Sequence, residues 1–182
     1  MPSTGGPPIA EIDVSTAEAC AVALAPLFEG APRFLARVCA ARPFGDALTL
    51  FATAREIARS MPEAEQIELI DAHPRLGAPP ASVSALSFVE QGYDRQAADR
   101  TATDAEAEAE RRRLAVELDR LNAAYEAHFG FRYCVFVAGR PRAALLPGFE
   151  AALSAERAAE IDRALGAVVD IAQDRWLPPG GE

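Results

Sequence analysis

Apolar residues recur along this chain at intervals of three and four positions, and this spacing is the feature that most restricts its fold. Two long segments show it: 101–127, with Leu114, Leu118, Leu121 and Tyr125, and 155–176, with Ile161, Leu165, Val168 and Ala172. Such intervals bring side chains to one face of an α-helix, whereas a half-buried strand needs strict alternation. The pattern therefore predicts helices.

The composition favours the same conclusion. Half of the residues are hydrophobic (50%), and the apolar set leans on Ala and Leu, which are better helix formers than strand formers. One exception is the aromatic and β-branched run between Gly130 and Gly139, which is typical of extended backbone. Because 182 residues suit a single core, we predict an all-α, single-domain, multi-helix bundle with one short extended segment near residues 132–138.

Capping residues and prolines predict where the helices begin and end. Ser15 and Glu18 have the spacing of a capping box, Asp46 is a good N-cap, and Ser87 is placed to cap the helix that starts SFVEQGYD. Pro74 should end the helix before it. With Gly- and Pro-rich termini, the predicted division is a flexible tail over 1–12, a helical domain over 13–177 and a second tail over 178–182.

Charge and hydropathy exclude several kinds of partner. The net charge is −9 and no segment carries a basic stripe, so nucleic acid is not an expected partner. A small anionic substrate needs only one or two local positive groups. Since no apolar stretch approaches the ~20 residues that span a bilayer, and no signal peptide is recognisable, we expect no membrane association and a cytoplasmic location.

The cysteines argue against a disulfide framework or a metal site. Cys20, Cys39 and Cys134 form an odd set without a CxxC pair. Cys20 and Cys39 lie among apolar helical neighbours, which is typical of reduced core thiols. We therefore predict no metal ligands.

The chain has only two histidines, and they differ in their surroundings. His128 lies in the predicted long helix and has no assigned role. His73 follows the end of a helix, where the partial negative charge of the helix dipole favours the imidazolium form. It is therefore expected to titrate near neutral pH, as a proton-transfer group would.

Two further positions allow a structural or a functional interpretation. Ser87 and Glu90 can form a capping box. Alternatively, the helix N-terminus at Ser87 can bind a substrate carboxylate, while Glu90 orients His73 or takes a proton. Arg175 can compensate the dipole of the last helix or pair with an anionic substrate. The residues alone leave these alternatives open.

Six motifs in order identify a family. They are LFEGAPRF, ARPF, DAHPRLG, SFVEQ, LNAAYEAHFGFRYCVFV and DIAQDRW, and together they extend over roughly residues 20–177. The chain thereby resembles the OHCU decarboxylases, whose substrate is 2-oxo-4-hydroxy-4-carboxy-5-ureidoimidazoline. The resemblance implies an all-α carboxy-lyase of urate degradation that forms (S)-allantoin, uses no metal or organic cofactor, and assembles as a homodimer.

The resemblance also implies the site residues. It makes His73 and Glu90 the catalytic pair. The residues around the substrate are then Pro74, Ser87, Gln91, Tyr133, Cys134, Val135, Phe136, Val137 and Arg175.

One departure from the family pattern keeps other functions open. After the His-Pro pair many members read Asp-Leu-Ala-Gly, whereas this chain has Arg75, Leu76, Gly77 and Ala78. It keeps open a lyase or hydrolase that acts on another ureido acid. The other alternative is a non-catalytic helical binding or assembly protein with the same fold, and the intact His73, Glu90 and Arg175 argue against it.

Overall fold

Helices are the regular secondary structure in the part of the chain that the computed structural model describes, residues 6–93 and 105–176. Within these ranges the α-helices are α1 (Ile9–Val14), α2 (Ala17–Leu24), α3 (Pro32–Ala40), α4 (Ala47–Ser60), α5 (Glu63–Asp71), α6 (Ala85–Glu90), α7 (Ala105–Phe129), α8 (Leu146–Ala152) and α9 (Arg157–Trp176). The same residues contain no strand. The all-α prediction is confirmed. Among these helices, none is long and apolar enough to cross a membrane.

The ends of the helices follow local chemistry, with two corrections. Asp46 caps α4 as predicted, because its carboxylate accepts from the amide of Thr49 at 2.7 Å. Helix α5 ends at Asp71, three residues before Pro74. The predicted capping box at Ser15 is wrong: the hydroxyl of Thr16 accepts from the amide of Ala19 at 3.2 Å and caps α2.

The chain forms two compact units, of which the first comprises residues 1–73 and 161–182. Its core lies among α2, α3, α4, α5 and the larger part of α9. Between α4 and α9, Arg55 pairs with Asp170 at 2.8 Å, and Phe51 packs edge-on against Trp176. These contacts fix the C-terminal end of α9 within this unit.

The first unit contains a disulfide between Cys20 of α2 and Cys39 of α3. The prediction of two reduced thiols is therefore wrong. The packing of α2 on α3 brings the two Cα atoms to 5.9 Å, a separation that a disulfide requires. Sequence spacing cannot reveal this, because it depends on which helix faces meet.

The second unit comprises residues 74–160 and is built on α7. Helix α7 packs against α8 through aromatic rings centred on Tyr125, which contacts Phe129, Phe131, Tyr133 and Phe149. The buried Tyr125 hydroxyl donates to the carboxylate of Glu160 at 2.7 Å. A buried phenol needs such a partner.

Three elements differ from the sequence prediction in detail. Helix α1 lies partly within the predicted tail 1–12, and α8 was not predicted. Residues 132–137 are neither helix nor strand. The segment is non-helical as predicted, but it forms no strand because no other described segment pairs with it. The ends of both predicted tails, residues 1–5 and 178–182, lie outside the described residues.

Candidate active site

His73 is the last residue of the first unit and lies just beyond the end of α5. Its amide still donates to the carbonyl of Ile70 at 3.1 Å, but Pro74 disfavours the helical conformation for the residue before it. The side chain does not project into solvent as a loop histidine normally would. Only 4% of its surface is exposed.

One contact fixes the tautomer of the His73 ring. Its Nδ1 lies 3.3 Å from the carbonyl oxygen of Leu69, one turn back in α5. Because a carbonyl oxygen can only accept a hydrogen bond, Nδ1 carries the proton of the neutral ring. The lone pair is then on Nε2, the position from which a base would act.

The pKa of His73 is lowered from 6.5 to about 4, chiefly because the ring is buried and secondly because of the nearby Arg175 charge. The carboxylate of Glu29 and the Leu69 hydrogen bond raise it, but less strongly. The expectation of an imidazolium form that titrates near neutral pH is therefore wrong. Loss of hydration in the interior outweighs the field of the helix terminus, and His73 is a neutral base at pH 7.

Arg175, in the last turn of α9, is buried in the first unit with 2% of its side chain exposed. Its Nη1 donates to the carbonyls of Pro26 and Leu27, at 2.8 and 3.1 Å. Its Nη2 donates to the carboxylate of Glu29 at 2.7 Å. These partners belong to the 3₁₀ turn Ala25–Phe28 and the residue after it. The substrate-binding role implied for Arg175 stays a prediction.

Glu29 had no predicted role, although it lies in the motif LFEGAPRF. An acidic residue directly before Gly30, between Pro26 and Pro32, indicates a turn. It does not indicate the partner, which is 146 positions away. The structure brings Glu29, Arg175 and His73 together in one unit.

In the second unit, Ser87 and Glu90 lie on one face of the short helix α6, but Ser87 is not its cap. The hydroxyl of Ser84 accepts from the amide of Ser87 at 3.2 Å, so the helix begins earlier than predicted. The predicted capping box is therefore wrong. The amide expected to bind substrate at Ser87 is already bonded to Ser84. Ser87 is 2% exposed, and the partly buried Glu90 is the last residue of α6.

Gln91 contacts the turn that follows Pro74 with both ends of its amide. Its Oε1 accepts from the amide of Gly77 at 2.8 Å, and its Nε2 donates to the carbonyl of Arg75 at 3.1 Å. The half-buried Pro74 begins this turn. These bonds show that Gln91 stabilises the turn. Its contact with substrate stays a prediction.

Two other residues hold the same turn and were not predicted to do so. Asn122 of α7 donates from Nδ2 to the carbonyl of Leu76 at 3.0 Å, and the hydroxyl of Tyr93 donates to the carbonyl of Ala78. Asn122 belongs to the motif LNAAYEAHFGF. Its position as an amide on an otherwise apolar helix face could have indicated a buried hydrogen-bonding role. Residues 75–78, where the chain departs from the family sequence, thus form a turn held by several hydrogen bonds.

The predicted substrate-contacting run from Tyr133 to Val137 is anchored by its first and last residues. Tyr133 stacks on Phe149 at a ring distance of 3.7 Å, and Cys134 is buried beside it in sequence. The carbonyls of Phe136 and Val137 accept from the guanidinium of Arg140, at 2.5 and 3.0 Å. Val135 is only partly buried. Which backbone groups of this run meet a substrate stays a prediction.

Among the described residues, no group of three or more His, Cys, Asp and Glu side chains is arranged to hold a metal ion. The predicted site residues fall in both units. His73 and Arg175 belong to the first. Pro74, Ser87, Glu90, Gln91 and the run 133–137 belong to the second.

Comparison with known proteins gives consistent results for fold and family. The sequence profile of OHCU decarboxylases matches residues 14–176. A crystal structure of OHCU decarboxylase in the presence of (S)-allantoin is similar in fold, with a TM-score of 0.61, 20% sequence identity, and coverage of 89% of this chain and 96% of that chain. No curated protein matches significantly.

Proposed function

Because the chain belongs to the OHCU decarboxylase family, we propose that it converts 2-oxo-4-hydroxy-4-carboxy-5-ureidoimidazoline to (S)-allantoin and carbon dioxide in urate degradation. The family match over residues 14–176 is the observation that carries this proposal. The state of His73 is compatible with it, because a neutral imidazole with its lone pair on Nε2 can accept a proton.

The chemistry needs little more than positioning and proton transfer. The carboxylate leaves as carbon dioxide, its bonding electron pair forms a double bond to the adjacent imine carbon, and the imine nitrogen takes up a proton. The hydroxyl then loses its proton as the ring carbonyl forms, and the adjacent carbon gains one. Protonation from one face makes the product a single enantiomer.

His73 is the residue that we expect to accept the hydroxyl proton and return one to carbon. Arg175 would attract the anionic substrate from within the first unit, as a guanidinium pairs with a carboxylate. Glu90 is the second catalytic group by family resemblance. In this scheme the protein supplies orientation and charge, and we expect activity without a metal or organic cofactor.

The decisive assay generates the unstable substrate from urate with the two preceding enzymes of the pathway. Addition of this protein should speed the appearance of the circular dichroism of (S)-allantoin. A signal that decays to racemic product at the uncatalysed rate would exclude this activity. Exhaustive chelation should leave the catalysed rate unchanged, and loss of activity restored by a specific ion would contradict the cofactor-free proposal.

Two variants test the assigned residues. His73→Asn should lower kcat about 10²–10⁴-fold, as loss of a general acid–base residue does, while His128→Asn, at an exposed site, should keep wild-type turnover. Glu90→Gln should lower kcat with little change in melting temperature, since Glu90 caps no helix start. A folded His73→Asn variant with full activity would refute the mechanism.

The family resemblance also implies a homodimer, and the sequence implies a cytoplasmic location. Light scattering coupled to size exclusion tests the first, where a monomer mass of 19.3 kDa would contradict it. Cell fractionation tests the second. The state of Cys20 and Cys39 in the cell is a related measurement, because disulfides persist mainly in oxidising compartments.

A further inference from the structure

Glu29 has an unusual backbone for an acidic residue. It follows the 3₁₀ turn Ala25–Phe28 with φ of 51°, in the left-handed region that residues other than glycine rarely adopt. Such a conformation persists where surrounding contacts hold it, and these positions cluster at functional sites. One contact of Glu29 is its ion pair with Arg175.

This ion pair is more buried than the pair that Arg37 and Glu65 form in the same unit. The side chains of Arg175 and Glu29 are 2% and 13% exposed, whereas those of Arg37 and Glu65 are 48% and 19% exposed. An exposed pair contributes little to stability, but a buried guanidinium requires a compensating charge. Glu29 supplies that charge for Arg175.

The contacts of Arg175 also determine how its guanidinium is oriented. Three acceptors from one short stretch, the carbonyls of Pro26 and Leu27 and the Glu29 carboxylate, bind its two terminal nitrogens. A planar guanidinium held at both of these nitrogens cannot rotate without breaking a bond. Glu29 provides the charged bond of this set.

Both charges act on the proposed base. Of the charged side chains in the first unit, Arg175 from α9 lowers the pKa of His73 and Glu29 from the turn raises it. The carboxylate, guanidinium and imidazole therefore lie within electrostatic range of one another. The hydrogen bond to Leu69 of α5 also raises the pKa of the ring.

We propose that Glu29 is a positioning residue of the decarboxylase: it fixes the guanidinium plane of Arg175 beside His73 and so sets how tightly the anionic substrate binds. The proposal rests on the function proposed above, in which Arg175 attracts the substrate. Glu29 touches no substrate in this scheme and acts through Arg175.

The test compares two charge-neutralising variants. Glu29→Gln keeps the size of the side chain and one acceptor oxygen, and it should raise KM about tenfold or more while kcat changes only a few-fold. Glu65→Gln removes the carboxylate of an exposed pair in the same unit and should keep the wild-type KM. If Glu29 only stabilised the fold, Glu29→Gln would lower the melting temperature without raising KM selectively over kcat.

A double variant shows whether Glu29 acts through Arg175. If it does, Glu29→Gln combined with Arg175→Lys should have a KM no higher than Arg175→Lys alone, because the two effects are not additive. Additive effects, or a wild-type KM in Glu29→Gln, would overturn the proposal and leave the decarboxylase function standing. Should Glu29→Gln not fold, Glu29→Asp decides: a KM between those of wild type and Arg175→Lys supports the proposal, and a wild-type KM overturns it.

A measurement without substrate separates the two proposals. If the wild-type protein does not accelerate the reaction, the proposed function fails, and NMR titration of the His73 ring still tests the placement of Glu29. Loss of the Glu29 carboxylate should lower the pKa of His73, and Glu65→Gln should not change it. An unchanged His73 titration in Glu29→Gln would exclude the proposed arrangement.

Discussion

Acid should destabilise this protein through His73. The pKa of this residue falls from its ordinary value of 6.5 to about 4 in the folded chain, with burial as the main cause. Between these two values the unfolded chain binds a proton that the folded chain does not. The free energy of unfolding therefore rises with pH across this window. The contribution of His73 is complete above pH 6.5 and is lost as the pH falls toward 4.

The size of the effect follows from the difference between the two pKa values. Each unit corresponds to about 1.4 kcal/mol, so acidification from neutral pH to the folded-state pKa should remove roughly 3 kcal/mol of unfolding free energy through this one residue. Domains are stable by only about 5–15 kcal/mol in total. The loss should therefore be large enough to measure by denaturant titration.

The assay measures unfolding in urea by circular dichroism at several pH values between 7 and 4 for three proteins. His73→Asn cannot ionise and should lack this part of the acid dependence, so its stability relative to wild type should improve by roughly 3 kcal/mol on acidification. His128→Asn replaces the exposed histidine and should follow the wild type. If His73→Asn and wild type lose stability in parallel, burial does not keep His73 neutral and the reasoning is refuted.

Two further predictions concern stability. Gly77→Ala should destabilise the second unit by about 1–3 kcal/mol, because φ is +81° and an added Cβ would lie 2.9 Å from Cδ1 of Leu118. Gly148→Ala, at a site with open space around the added Cβ, is the control, and equal unfolding midpoints for both would contradict the account. Replacement of Cys20 and Cys39 by Ser should lower stability by about 2–4 kcal/mol, as for loss of a native disulfide; a reductant should lower the melting temperature of wild type but not of this variant, and no difference between them would mean that the thiols are reduced in solution.

The helices were predictable because their signals are local. Apolar spacing, the Asp46 cap and Pro74 each act within a few residues of the backbone they control, and the structure agrees at each of these positions. The errors at Ser15 and Ser87 have a common cause. Each has a neighbouring hydroxyl residue, Thr16 and Ser84, that can cap the same helix, and one sequence does not tell which of two candidates adopts the required extended conformation.

The site was predictable only as far as family resemblance reached. Residue type and order made His73, Glu90 and Arg175 candidates, but the charge state of His73 depends on burial, which no motif encodes. The local helix terminus favoured a charged ring, whereas the folded interior excludes water from it and favours the neutral form. A tertiary property thus reversed a prediction made from a local one.

Glu29 shows why a positioning residue cannot be predicted from sequence even when it lies in a family motif such as LFEGAPRF. Its carboxylate meets a guanidinium 146 positions away, and the pairing follows from α9 lying beside the turn that ends the 3₁₀ segment in the first unit. A catalytic base is restricted by its chemistry to a few residue types, and the chain has two histidines to consider. A residue that orients a charge can be any of 27 acidic side chains, so only the packed structure can select it.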